Sequence, residues 1–428
     1  ITTVGDGDVM FAIRLPERKE QVHLFARKNG LQDYVIFDLH LSGETDNGDG
    51  TFTYQSTRMD SYTDGDMIEA RFYTFTPESG QVFYPGPDSG TFASATYGYD
   101  GDDDGDDDGD DDGDDDDIAD GVTVSGRRLM VDGQPFYMKG VCWNPVGPGG
   151  SHPENLDFPG YVQQDAALME QAGINVIRTY EAITDTAVLD VLYSHGIRVI
   201  NTVYVWGGDE PSATVAAKVN AVKDHPAILM WSLGNEWNYN GLYVGLSFDE
   251  SMARINEAAA IVRANDPSRP ITTVYGHIPS KETIDAMPEI DIWGLNMYSG
   301  LSFGNVFTQW PSLTGKPMFM AEYGADAWNA NTGSEDTAAQ AEATRVLTQI
   351  LIANSSASDP DSVCTGGTIF EWADEWWKAG DPAVQDTGGI APGGGPHPDL
   401  TFNEEYWGIV DAYRNPRPAY YELQTLFQ

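Results

Sequence analysis

The stretch Ile228-Leu229-Met230-Trp231-Ser232-Leu233-Gly234-Asn235-Glu236-Trp237 decides how this chain is read. Its first six residues are apolar apart from Ser232. A run this short, apolar on both alternating faces, suits a parallel strand covered on both sides. It ends in a glycine and two polar residues, where a strand would open on solvent. A helical stretch, Asp249–Ala264, follows. Working outward, the same alternation recurs. Strands are expected at Phe136–Trp143, Asn175–Tyr180, Arg198–Val205, Ile228–Trp237, Ile271–Tyr275, Ile290–Tyr298, Pro317–Tyr323 and Thr368–Trp372. Helical stretches include Tyr161–Gln171, Ala187–His195, Ala213–Lys223, Thr337–Ala353 and Pro418–Phe427. Eight such units over residues 121–428 are the pattern of a (β/α)8 TIM barrel. The connection after the eighth strand, from Ala373 to about Pro416, is rich in Gly and Pro. Loops of that length in a compact domain are usually functional.

Upstream the composition changes abruptly. Asp100 to Asp117 read DGDDDGDDDGDDDGDDDD. Such a segment has no apolar area to bury and repels itself, so residues 100–120 are read as a disordered acidic linker. The spacing Asp100, Asp102, Asp104, Gly105 also suggests a calcium loop. Its twelfth position is Asp111 rather than the bidentate Glu, and no flanking helices are evident. Residues 1–99 read as all-β. Runs such as Val9–Leu15, Val22–Ala26, Tyr34–Leu41 and Ile68–Phe75 alternate with turns such as Asp46-Asn47-Gly48. The pattern suits a small β-sandwich. The expected fold is therefore multidomain: an all-β sandwich module, an acidic linker and a TIM barrel.

The charge balance narrows the partners. With 23 Lys+Arg against 67 Asp+Glu, the formal net charge is −44. That surface repels nucleic acid and anionic membrane and leaves neutral ligands open. No apolar run is long enough to span a bilayer. The chain begins at Ile1 rather than Met, which suggests a processed N-terminus and a secreted protein. The two cysteines, Cys142 and Cys364, fall at opposite ends of barrel strands, too far apart for a disulfide, and are read as buried thiols. The seven His residues show no metal spacing, and no phosphate-binding loop or GxSxG elbow is present. No metal or cofactor is expected, and the protein is read as a monomer.

Active-site residues of a TIM barrel sit at the C-terminal ends of its strands. There, Glu236 ends strand four and Glu322 ends strand seven, two carboxylates across one mouth. Glycoside hydrolysis needs such a pair: one acid protonates the leaving oxygen, and the other attacks the anomeric carbon or activates water. Aromatic residues crowd the same ends, among them Trp143, Tyr180, Trp206, Trp237 and Trp372. Such rings line pockets for neutral ligands. Trp372, ending strand eight, is read as a platform under the reacting sugar.

Trp231-Ser232-Leu233-Gly234-Asn235-Glu236, preceded by His225-Pro226, resembles the catalytic segment of glycoside hydrolase family 2. It is also similar to family 5 and to fungal β-1,3-glucanosyltransferases, all of the clan of retaining β-glycosidases. Trp407-Gly408-Ile409-Val410-Asp411, Arg414-Asn415-Pro416 and Pro418-Ala419-Tyr420-Tyr421 resemble family 2 barrels too. The resemblance covers roughly Val124 to Gln428. It implies a retaining hydrolase with Glu236 as acid/base and Glu322 as nucleophile. It further implies that Asn235 bonds the sugar 2-hydroxyl, that Tyr298 bonds Glu322, and that Arg178 holds that carboxylate ionised. The N-terminal module loosely resembles a carbohydrate-binding module of the β-1,3-glucan type. These likenesses point to an endo-acting β-1,3-glucanase on a polysaccharide. A transglycosylase with the same residues, a hydrolase of mannan, cellulose, xylan or agarose, and an inactive carbohydrate-binding barrel are the alternatives.

Overall fold

The computed structural model describes residues 121–386 and 397–428 in full, and elsewhere the backbone of short strands. The chain divides into two compact units, Ile1–Asp115 and Asp116–Gln428.

In the first unit the backbone pairs antiparallel. Val22–Lys28 lies between Val35–Asp38 and Met67–Thr76. Gly80–Tyr84 and Ala93–Thr96 also pair with Met67–Thr76. Ala12–Leu15, Phe52–Gln55 and Glu44–Asp46 form a separate ladder. The sandwich packing expected for residues 1–99, and the linker at 100–120, lie outside the described residues.

The second unit is a closed barrel of parallel strands. These are β1 (Met138–Cys142), β2 (Val176–Arg178), β3 (Arg198–Tyr204), β4 (Ile228–Leu233), β5 (Ile271–Gly276), β6 (Ile292–Asn296), β7 (Met318–Tyr323) and β8 (Cys364–Ile369). The register from Met138↔Gly366 to Val141↔Ile369 closes β8 onto β1. A helix follows each strand: α1 (Phe158–Gln171), α2 (Thr186–Ser194), α3 (Pro211–Val222), α4 (Phe248–Asn265), α5 (Lys281–Asp285), α6 (Val306–Leu313), α7 (Thr337–Ala353) and α8 (Pro418–Phe427). Local chemistry sets their starts. Asp157, Asp185, Ser280 and Asp336 accept first-turn amides, and Ser247 with Glu250 forms a full capping box on α4.

Both faces of the strands are apolar, as helices outside and packing inside require. Val141, Ile177, Val203 and Leu295 face helix residues such as Val162, Leu189, Val219 and Ile255. Met138, Val176, Ile200, Met230, Val274, Ile292 and Phe319 belong to a second buried cluster within the barrel. Val122, Leu129 and Val131 join that inner cluster from a small sheet of Val122–Ser125, Arg128–Val131 and Gln134–Pro135. Its Arg127 and Arg128 donate to the carbonyls of Thr314 and Ser356, which precede β7 and β8. The sheet thus closes the N-terminal end and leaves the C-terminal end for chemistry.

Strand ends differ from the sequence reading where the backbone leaves the extended region. β4 stops at Leu233 rather than Trp237. Gly234 has φ 71° and Glu236 φ 47°, and Trp237–Asn240 coils into a helical turn. A Cβ on Gly234 would lie 2.7 Å from the Trp237 ring, so only glycine allows this exit. β8 is Cys364–Ile369, not Thr368–Trp372. Helices α5 and α6 are additions to the expected set. Cys142 and Cys364 are both buried free thiols.

Candidate active site

Four strand ends deliver the residues. β2 ends in Arg178, β4 leads into Asn235 and Glu236, β6 ends in Asn296, and β7 carries Glu322. Arg178 is the hub. Its Nη1 donates to Glu322 Oε1 at 2.9 Å, and its Nη2 donates to Asn235 Oδ1 at 2.6 Å. Tyr180 donates its hydroxyl to the same Glu322 Oε1 at 2.7 Å, and Tyr298 donates to Oε2 at 2.9 Å. Three donors thus converge on one carboxylate and fix its orientation. On the other side, Asn296 Nδ2 donates to Glu236 Oε1 at 3.0 Å and to Asn235 Oδ1 at 3.2 Å. The Asn235 amide in turn donates to the Tyr243 hydroxyl at 3.1 Å. The two carboxylates are therefore linked through Asn296, Asn235 and Arg178.

The electrostatics set the two glutamates apart. The protein packed round half-buried Glu236 raises its carboxyl to about 7, with the neighbouring Glu322 charge adding to the rise. Asn296 and Arg178 oppose it. A group tuned this way is a candidate general acid. Burial also holds the Tyr180 and Tyr298 hydroxyls well above their ordinary range, so both remain donors. Beneath Arg178 lies Cys142, whose Sγ is 3.8 Å from Nη1. Burial pushes this thiol up to about 11, leaving a neutral floor.

The structure brings Glu236, Glu322, Arg178, Asn235, Tyr298 and Tyr180 together, with Tyr180 as a hydrogen-bond donor rather than a stacking ring. Trp206 stands at the mouth and is 36 % exposed. Three other expected sugar contacts are corrected. Trp143 is fully buried and donates to Asp165 of α1 at 2.8 Å, so it faces the helices. Trp237 is buried against Phe248 and Tyr275 and donates to Thr273. Trp372 is 1 % exposed and lies beside Tyr420 of α8, 6.3 Å between centroids. The reason is register: β8 ends earlier than expected, and Phe370 takes the inward place. Its ring is edge-on to both Tyr180 and Tyr298. Sequence reasoning passed over Asn296, Tyr243 and Phe370. Asn296 had a usable signal, a lone polar residue ending an apolar strand.

No group of three or more His, Cys, Asp or Glu suited to a metal occurs among the described residues, nor any helix able to cross a membrane.

A barrel of eight β/α units with a strand-four Asn-Glu and a strand-seven Glu has the frame of a clan A glycoside hydrolase. Residues 209–352 match the family model for glycosyl hydrolases family 2, TIM barrel domain. Over those residues the barrel is similar to that domain. The β-glucuronidase of Rattus norvegicus is 27% identical over 232 residues, 48% of this chain and 34% of that protein. The chain spans about a third of the length of such curated relatives. Among solved structures, the β-glucuronidase of Bacteroides uniformis aligns with a TM-score of 0.55 at 16% identity, covering 100% of this chain and 49% of that one. The family 2 β-galacturonidase of Eisenbergiella tayi aligns with a TM-score of 0.53 at 16% identity, covering 98% and 68%. At that identity these structures speak to the fold alone.

Proposed function

We propose that the chain is a retaining β-glycoside hydrolase acting by double displacement. The observation that carries this is the contrast between two carboxylates at one mouth. Glu236 is poised to hold a proton near neutrality, and Glu322 accepts three hydrogen bonds. In the first step Glu322 attacks the anomeric carbon while Glu236 gives its proton to the leaving oxygen. In the second, Glu236 as base takes a proton from water, which displaces Glu322. Asn235, fixed by Arg178 and Asn296, is placed to bind the 2-hydroxyl. Arg178 and the two tyrosines orient the nucleophile.

The relatives are named for uronides, and nothing in the comparisons favours a β-1,3-glucan. The mouth supports a neutral sugar of unspecified linkage. Lys378 lies over the Phe370 ring, 4.2 Å from its centre. It lies 2.9 Å from Glu375, 3.6 Å from Glu404 and 4.0 Å from Glu371. A uronate carboxylate would join a ring of acids whose ammonium is already shared, at an electrostatic cost. Secretion and a monomeric state remain part of this proposal.

The test is a panel of aryl β-glycosides: glucoside, galactoside, mannoside, xyloside, glucuronide and galacturonide. A neutral glycoside should be turned over fastest. Glu322→Gly should lose turnover and regain it with azide, giving the inverted glycosyl azide. Turnover by Glu322→Gly without azide would defeat the mechanism. Preference for a uronide would defeat the substrate reading.

A further inference from the structure

Beyond the reacting centre, four rings run round the barrel mouth. Trp377, in the turn Trp376–Lys378 after β8, stacks on His152 of the β1–α1 loop, with centroids 5.1 Å apart and planes at 26°. His152 lies 6.4 Å from Trp206, beyond the end of β3. Trp206 lies 4.7 Å from Tyr243, in the loop after β4. Tyr243 accepts from Asn235, so the arc ends beside the acid/base. Trp206 and Tyr243 are 36 % and 45 % exposed. The Trp206 ring is held in place by its N–H bond to Glu181.

The same arc carries polar atoms with no protein partner. Asn144 Oδ1, His152 Nε2 and Trp377 Nε1 are all buried and unpaired. Buried polar atoms are nearly always hydrogen-bonded, so a cluster of exceptions along one wall calls for an outside partner. Burial lowers the His152 pKa, with Glu375 and Glu181 opposing the shift. Ring faces interleaved with neutral donors and acceptors suit a pyranose, which has an apolar C–H face and a hydroxyl rim.

We propose that this wall is a row of subsites for the glycone side of a β-linked, neutral oligosaccharide, so that the enzyme works on chains rather than on single-sugar glycosides. The inference rests on the double-displacement reading above. It goes further by giving the substrate several sugar units on the β8–β1–β3 side of the mouth. The exposed rings of Trp206 and Tyr243 are its platforms, with Trp377, stacked on His152, closing the far end. Asn144, His152 and the Trp377 indole N–H bond its hydroxyls.

The experiment holds the leaving group constant. Aryl β-glycosides of one to four glycone units, in the gluco, manno and xylo series, are assayed for kcat/KM. In the accepted series kcat/KM should rise at least tenfold from one unit to three. Trp206→Ala and Trp377→Ala should each lose at least tenfold more on the longest substrate than on the shortest. In parallel, Glu322→Gln is titrated with the matching tetrasaccharides. Adding Trp206→Ala to it should weaken binding at least tenfold. No gain with length, equal losses at every length, or no tetrasaccharide binding would each overturn the wall. Azide rescue of Glu322→Gly on the shortest substrate separates such a result from failure of the mechanism itself.

Discussion

Replacing Glu236 by Gln keeps an oxygen for the Asn296 amide and removes only the ionisation. Burial and the Glu322 charge raise this carboxyl from 4.5 to about 7. At about 1.4 kcal/mol per pH unit, the gap between 7 and 4.5 bounds the cost of holding the anion at about 3 kcal/mol. Glu236 is half-buried, and water screens part of that, which leaves about 1–2 kcal/mol. The sign follows from proton counts. Between pH 4.5 and 7 the native protein keeps its proton while the unfolded chain has released it, so wild-type stability falls as pH rises. The neutral amide of the Glu236→Gln variant carries no such slope. The variant should therefore match wild type near pH 4, gain across the window, and hold a constant advantage above about pH 7.5. The other raised carboxyls, Asp326, Glu371, Asp374 and Glu405, are common to both proteins and cancel in the difference. Urea unfolding at several pH values, followed by tryptophan fluorescence, reads this directly. All 11 tryptophans lie between Trp143 and Trp407, so the signal comes from the barrel unit. A stability difference that is flat from pH 4 to 8, or that favours wild type at pH 7.5, would refute the assigned environment of Glu236.

Three further outcomes follow from the same geometry. With a poor leaving group, kcat/KM should fall above about pH 7 as Glu236 loses its proton, and Glu236→Gln should abolish that limb along with about 10²–10⁴-fold of the rate. Arg178→Ala removes a donor from both Glu322 and Asn235 and should cut kcat/KM by about 10²–10³-fold, measured on an activated aryl glycoside. Trp372→Ala should cost about 3–5 kcal/mol of stability through the cavity it opens beneath α8, and the protein that remains folded should keep its KM. A large KM change without loss of stability would restore Trp372 as a sugar platform.

The barrel gives two chemically identical side chains different work by what surrounds them. Glu322 stands where β2 and β6 both converge, so one guanidinium and two hydroxyls reach it. Glu236 follows the sharp exit from β4, in a left-handed backbone conformation, and receives one amide from Asn296. Left-handed conformations in non-glycine residues are held only by their surroundings, and they cluster at functional sites. Here the exit turn places Glu236 over the mouth while Trp237 is driven back into the core, bonded to Thr273. The acid's position and the burial of its neighbour are one structural event.

That coupling also explains what could be read from residues alone. The barrel was legible because eight short apolar runs alternate with helical stretches, a pattern that no other common fold repeats so often. The polar residues that end apolar strands were legible for the same reason: Arg178, Asn235, Glu236 and Glu322 each break a buried run, and the fold sends such breaks to one mouth. The aromatic residues were not. In a strand buried on both faces, apolar residues line both the inner and the outer side, so sequence carries no parity signal. Trp143 and Trp372 thus looked the same as Trp206, although they point to the helices and it points to the cleft. Shortening β8 to end at Ile369 was enough to exchange Phe370 for Trp372 as the residue facing Tyr180 and Tyr298. Contacts between distant loops were further out of reach. Trp377 meets His152 across more than two hundred residues, and only closing β8 onto β1 brings them side by side. The two mouth carboxylates were therefore readable because polarity interrupts their strands, whereas the ring-lined wall depends on which loops the closed barrel makes neighbours.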